Sequence, residues 1–358
     1  MSDLVRAALT AVVDGKTLTM EEAQQAMGSV MDGEATPAQL AALLVALRMR
    51  GETVEELAGF AAAMRERSLK VEAPAGAIDT CGTGGDHSGT FNVSTAAALI
   101  LASVGVPVAK HGNRAMTSAC GSADVLEALG IATDLSPEEA GEALRTDNFA
   151  FLFAQAYHPA MKHAGPTRRE IGIRTAFNLL GPMTNPAGAK RQVVGVGAAA
   201  AAPRIAEVLR LLGAERALVV HGAGVDELPL DGSGVMYDVT PDGVTRHDVV
   251  AVELGLTGAP TTALAGGAAA ENAAAVEAIL GGVHGPGRDV VLLNSAAAFM
   301  AAGKASDLRE GIAAAAAAID SGQARELLTR LRAAKRARDK ARAEAAASEG
   351  TPATGAPA

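Results

Sequence analysis

The sequence predicts an α/β protein carrying a small helical bundle at its N-terminus. Three observations predict it. The first seventy residues contain three helix-start signatures and read as purely helical. From Ala77 onward, short strand-like runs alternate with helical ones, the pattern of a sheet with parallel character. Glycine-rich turns, hydroxyls and a cationic loop gather between Asp79 and Ser122 at the strand-to-helix joints, where open α/β sheets place their ligands.

Composition narrows the function classes. A chain of 358 residues with 49% hydrophobic content has ample material for a buried core. Its net charge of -9 argues against a nonspecific grip on nucleic acid or an anionic membrane, while leaving room for a local basic pocket. Two cysteines, Cys81 and Cys120, are too few for a disulfide framework, lack metal-ligand spacing and fit a reducing compartment. Asp3, Arg6, Asp14 and Lys16 interrupt the apolar residues at the start, and no later window reads as a membrane span. These features predict a cytoplasmic protein.

Taken in order, the bundle is marked by capping boxes at Thr19 with Glu22, Thr36 with Gln39, and Thr53 with Glu56. Pro37 stands at a first helical position, and Gly51 follows the basic end at Arg50 as a stop. Leu40, Leu43, Leu44 and Leu47 form an apolar face equally compatible with packing inside the protomer and with a dimer surface. A connector over Val71 to Ala77 leads into a strand ending at Cys81. Then come a helix over Ala96 to Ser103, a strand over Pro107 to Lys110, a helix over Ala123 to Leu129, and a capped helix opened by Ser136, Pro137 and Glu139. Ala150 to Phe153, Gln192 to Val196, Arg216 to His221, Met236 to Val239 and Asp289 to Leu293 read as further strands. Ala259 to Ala275 is low in complexity but suits close helix packing. Beyond Lys335 the chain reads as a frayed helix and a disordered tail, and Arg330, Arg332, Lys335, Arg336 and Arg338 as a solvated helix face.

Three segments bear chemistry. Gly82-Thr-Gly-Gly85 lets backbone approach a ligand, though it matches neither the dinucleotide fingerprint nor the nucleotide phosphate loop. Asn92-Val-Ser-Thr95 precedes a helical run, and hydroxyls with free N–H groups at a helix start form an anion site. Lys110 and Arg114, flanking His111-Gly112-Asn113, supply cations. Asp226 and Glu227 follow a strand in a glycine-containing loop; alone they read as a solvated acidic turn, but beside a pyrophosphate-like site they suit magnesium. Arg168 or Arg169 could pair bidentately with a carboxylate, or form a surface salt bridge. His158, His163 and His221 show no metal spacing.

Together these residues closely resemble the anthranilate phosphoribosyltransferase family from Leu4 to Leu331. The most specific matches are Gly82-Thr-Gly-Gly-Asp86, Asn92 to Thr95, Lys110 to Arg114, Gly121 to Gly130, Arg168 with Asn178 to Pro182, and Asp226-Glu227. The resemblance implies a discontinuous helical domain of residues 1–72 with further helices from about 168–190. It also implies an α/β domain of residues 73–334 with a central, largely parallel sheet, a tail over 335–358, and a homodimer formed through the helical domain. The donor, 5-phosphoribosyl 1-pyrophosphate (PRPP), would be held by Gly82, Gly85, Asp86, Thr90, Asn92, Val93, Ser94, Thr95, Lys110, His111, Gly112, Asn113, Arg114, Ala115, Met116, Thr117, Ser118 and Ser122. Gly82, Asn113 and Arg168 would contact anthranilate, and Ser94, Asp226 and Glu227 two magnesium ions. His87, Ala119-Cys120 and Gln155 depart from the family pattern. The implied reaction needs no strong base, so Lys110 is expected to act electrostatically and no residue as acid or base. A pyrimidine nucleoside phosphorylase of the same fold would leave Asp226-Glu227 unexplained, and a nucleic-acid-binding relative would want a basic groove.

Overall fold

The computed structural model describes residues 1–86, 88–115, 119–222 and 224–349. His87, Met116, Thr117, Ser118 and the last nine residues of the expected tail therefore lie outside the described residues.

Four helices open the chain: α1 (Asp3–Val13), α2 (Met20–Met31), α3 (Pro37–Arg50) and α4 (Val54–Glu66). The Thr19, Thr36 and Thr53 boxes form as expected, each hydroxyl accepting from the N–H three residues on while that residue's side chain accepts in return. Glu56 does more than cap. Fully buried, it also accepts from the Leu18 N–H at 2.9 Å and pairs with Arg50, so one carboxylate ties the starts of α2 and α4 together.

The sheet has seven strands: β1 (Ile78–Gly82), β2 (Val108–Gly112), β3 (Phe149–Phe153), β4 (Arg191–Gly195), β5 (Arg216–His221), β6 (Gly234–Thr240) and β7 (Gly243–Val249). Their order is β3-β2-β1-β4-β5-β6-β7. The first five pair in parallel and the last two add on antiparallel. Strand order reverses at β1, so a crevice opens between the carboxyl ends of β1 and β4, where sheets of this kind bind ligands. Asp289 to Leu293, expected as a strand, instead lies inside the helix Pro286–Ala301. That helix is buried on every side from Val290 onward, so its apolar run has no helical periodicity to betray it.

Strand side chains alternate between two cores. Val193, Leu218 and Val220 join the core under α5 (Val93–Ser103) and the C-terminal helices. Val194, Ala217 and Val219 point the other way, into one continuous core with Leu43, Leu44, Leu47, Leu57 and Phe60 of the bundle. Ala164, Ala176, Phe177, Leu180 and Met183 belong to this second core too. The final helix runs unbroken from Gln323 to Glu349, with Arg342 pairing with Asp134 at 2.5 Å and Glu139 at 2.6 Å along it. No helix among the described residues is long and apolar enough to cross a membrane.

Candidate active site

A cavity of about 220 Å³ opens at the carboxyl end of β1 on its β2 side, lined by the ends of β1 and β2, the start of α5 and the Asp226-Glu227 loop. Beyond Gly82 the chain turns through Gly84 (φ 59°) and Gly85 (φ 70°), a left-handed pair that other residues adopt only with strain. Gly82 lies close for a different reason: a Cβ there would come 2.4 Å from Asp226 Oδ2 and force that carboxylate to move. The turn thus lies directly on the acidic loop, and the Gly84 N–H donates to that same oxygen at 3.2 Å.

Helix α5 starts without a side-chain cap. Asn92 is engaged elsewhere, donating to the Cys120 carbonyl at 3.3 Å and accepting from Asn272 at 3.0 Å. The positive end of the helix is left facing the cavity, a favourable place for an anion. Beside it lies Lys110, 1% exposed, donating to the Thr80 carbonyl at 2.5 Å and reaching Ser94 Oγ at 3.4 Å. Burial pulls its pKa down, against Asp79, Asp226 and Glu227, which favour the charged form.

Opposite the lysine, Asp86, Asp226 and Glu227 bring carboxylate oxygens within 4.8 Å of one another. Burial and then the Asp86 charge push Asp226 up to about 6, and burial with both neighbours pushes Glu227 well up. Carboxylates crowded until they resist ionising, with hydroxyl-bearing Ser94 on the same cavity wall, are a donor set that fits a hard, oxygen-loving cation.

Of the residues expected at the donor, Gly82, Gly85, Asp86, Thr90, Asn92, Ser94, Lys110, His111, Gly112, Asn113 and Ser122 line this cavity together with Asp226 and Glu227. Val93 and Thr95 are buried in the first turn of α5, which they anchor from beneath. Arg114 does not line the cavity: half exposed, it pairs with Glu127 at 2.5 Å and Asp124 at 3.1 Å. The Ala115 N–H donates to the same Asp124 at 2.9 Å, so this side of the loop is tied to the following helix. Arg168 also stands outside the lining, its guanidinium 4.7 Å from the Phe177 ring centre and its pKa lowered by desolvation. It makes no ion pair among the described residues.

Sequence reasoning missed a polar network behind the cavity. Asp79, fully buried, accepts from the His111 N–H at 3.0 Å and from Asn185 Nδ2 at 2.8 Å, and burial pushes it up to about 6. His111 Nδ1 donates to the Gly181 carbonyl at 3.1 Å, leaving Nε2 a buried acceptor with no partner among the described residues. Burial and the neighbouring His158 pull His111 down to about 3, so the ring is neutral. Asp79 sits inside the Gly82 motif and Asn185 just past the Pro182 motif, yet nothing in either motif says that they meet.

Comparison with known proteins identifies the family and the fold. Residues 6–68 match the helical bundle domain of a glycosyl transferase family, and residues 75–325 match its a/b domain. Anthranilate phosphoribosyltransferase from Chloroflexus aurantiacus is 53% identical over 335 residues, covering 93% of this chain and 99% of that protein. The crystal structure of the enzyme from Thermus thermophilus superposes with a TM-score of 0.87 at 47% identity, covering 92% and 99% of the two chains. The Saccharomyces cerevisiae enzyme in complex with PRPP and Mg gives a TM-score of 0.86 at 25% identity, covering 94% and 99%. With half its residues shared across nearly the whole length of such a relative, the chain belongs to the anthranilate phosphoribosyltransferase family.

Proposed function

We propose that the chain transfers the phosphoribosyl group of PRPP to the amine of anthranilate, giving N-(5-phosphoribosyl)anthranilate and pyrophosphate for tryptophan biosynthesis. The observation that carries this reading is the meeting of a buried lysine, an uncapped helix start and three carboxylates in one cavity. In this reading the start of α5 receives the ribose phosphate, while the Gly82–Gly85 turn and Lys110 face the pyrophosphate. Ser94, Asp226 and Glu227 would hold two magnesium ions, with Asp86 completing the acidic wall; the yeast relative's complex with PRPP and Mg supports the metal. Bound magnesium would neutralise charge on the departing pyrophosphate.

The anthranilate nitrogen attacks the anomeric carbon as the bond to pyrophosphate breaks and its electron pair leaves with that group, and the extra proton then on nitrogen passes to the departing pyrophosphate or to water. An aromatic amine is neutral near pH 7, so attack needs no strong base, and the chain's task is to orient it. Asn113 from the donor side and Arg168 from across the cleft do so. The neutral His111 cannot repel the developing positive centre. The test is anthranilate fluorescence: it falls when PRPP and magnesium are added together, and a folded protein that leaves it unchanged refutes the proposal.

The chain also forms a homodimer through the bundle in this reading, supported by Leu4, Val13 and Met49 standing exposed on α1 and α3. Sedimentation should return twice the chain mass.

A further inference from the structure

A second and larger cavity, of about 350 Å³, lies on the far side of the glycine turn from the first. Its walls come from the end of α3, the segment after Arg168 and the β4-to-helix joint. Its charged lining is three arginines, Arg48, Arg174 and Arg204, against one carboxylate, Glu52. Glu52 is already committed to Arg204 at 3.5 Å. Arg48 has no partner among the described residues, and Arg174 donates only to the Gly84 carbonyl, at 3.2 Å. The cavity therefore holds two guanidiniums without a counter-charge, beside a single neutralised pair. Thr83 and Asn178 add polar groups, and the volume is that of a small-molecule site.

The position of Arg174 links this cavity to the first. Its guanidinium fills the space directly behind Gly85, where a Cβ would come 1.6 Å from Nη1. Gly84 thus accepts from Arg174 on one side and donates to Asp226 Oδ2 on the other. An anion that draws Arg174 toward itself releases the turn, and with it the N–H that occupies an oxygen of the acidic cluster.

We propose that the second cavity binds a small anion, a carboxylate or a phosphate, and that its occupation strengthens PRPP binding through Arg174 and Gly84. The binding half stands on the cavity alone, whereas the coupling half rests on the donor-site reading above.

The experiment titrates the full chain calorimetrically with malonate and, separately, with inorganic phosphate, replacing chloride at constant ionic strength. Saturable binding of at least one is expected, weakened about tenfold or more by Arg48→Ala, as for loss of a charge-assisted contact. Arg48→Ala should leave turnover without the anion unchanged. Which arm binds assigns the ligand's chemistry. No saturable binding in either arm, or binding indifferent to Arg48→Ala, overturns the site. Repeating the titration over rising PRPP and magnesium separates the two cavities. An apparent anion affinity that tightens to a plateau supports coupling, and reciprocity requires the same factor on PRPP. Unlimited weakening places the anion in the donor cavity and overturns the proposal; no change overturns the coupling while the site stands. Failure of anthranilate turnover with anion binding intact would count against the proposed function alone.

Discussion

Burial and mutual repulsion make Asp226 and Glu227 hold protons more tightly than ordinary carboxylates do, and a divalent cation is what would relieve that repulsion. Replacing both by alanine should lower magnesium-dependent turnover by about a hundredfold or more, the scale on which a charge-stabilising group acts; a rate within a few-fold of wild type would sink the metal assignment. Arg168→Ala should raise the anthranilate KM about tenfold or more, a charge-assisted hydrogen bond being worth about 1.5–3 kcal/mol. An unchanged KM would mean that Arg168 merely stacks on Phe177. His158 gives a pH signature. Burial lowers its folded pKa from 6.5 to about 4, so between those values the unfolded chain binds a proton that the folded chain refuses. Stability contributed by its neutral form is complete above the unfolded value and falls as pH drops through this window, levelling off below about 4. In His158→Asn, proton uptake on unfolding at pH 5 should fall by about one, measurable from the slope of stability against pH.

At the scale of elements, capping residues differ in consequence according to what else they hold. Thr53→Ala should cost about 1 kcal/mol, the ordinary loss of a cap. Glu56→Ala should cost about 3–5 kcal/mol, because it leaves Arg50 and the Leu18 N–H without their buried acceptor. Chemical denaturation of the two variants would show the difference. The boxes were legible in the sequence because each is local: partner and cap lie three residues apart. So were the glycine turn, Lys110 and the acidic pair, each sitting at a strand end where chemistry and geometry share a short segment. What could not be read is non-local or featureless. The Asp79 to Asn185 bond joins residues 106 apart in the chain. The helix Pro286–Ala301 is buried on every side from Val290 onward, so neither period marks it, and its first turns pass for a buried strand. Arg114 shows the same non-locality. Its cationic loop invites an anion, but Glu127, thirteen residues on, already supplies one.

On the scale of the whole molecule, the C-terminal helix is fastened to the loop before the helix Pro137–Thr146 through Arg342 and Arg338. Ending the chain at residue 334 should lower Tm by a few degrees at most, since exposed pairs contribute about 0–1 kcal/mol each. The continuity of the second core has a further consequence, in time rather than space. The bundle leaves the ribosome first, yet the valines that complete its core, Val194, Val196 and Val219, are translated more than a hundred residues later. At ordinary rates of translation the helices wait on the order of ten seconds with an apolar face uncovered. Nascent chains stalled near residue 100 should therefore bind a hydrophobic dye or a chaperone holdase, and chains released past residue 240 should not.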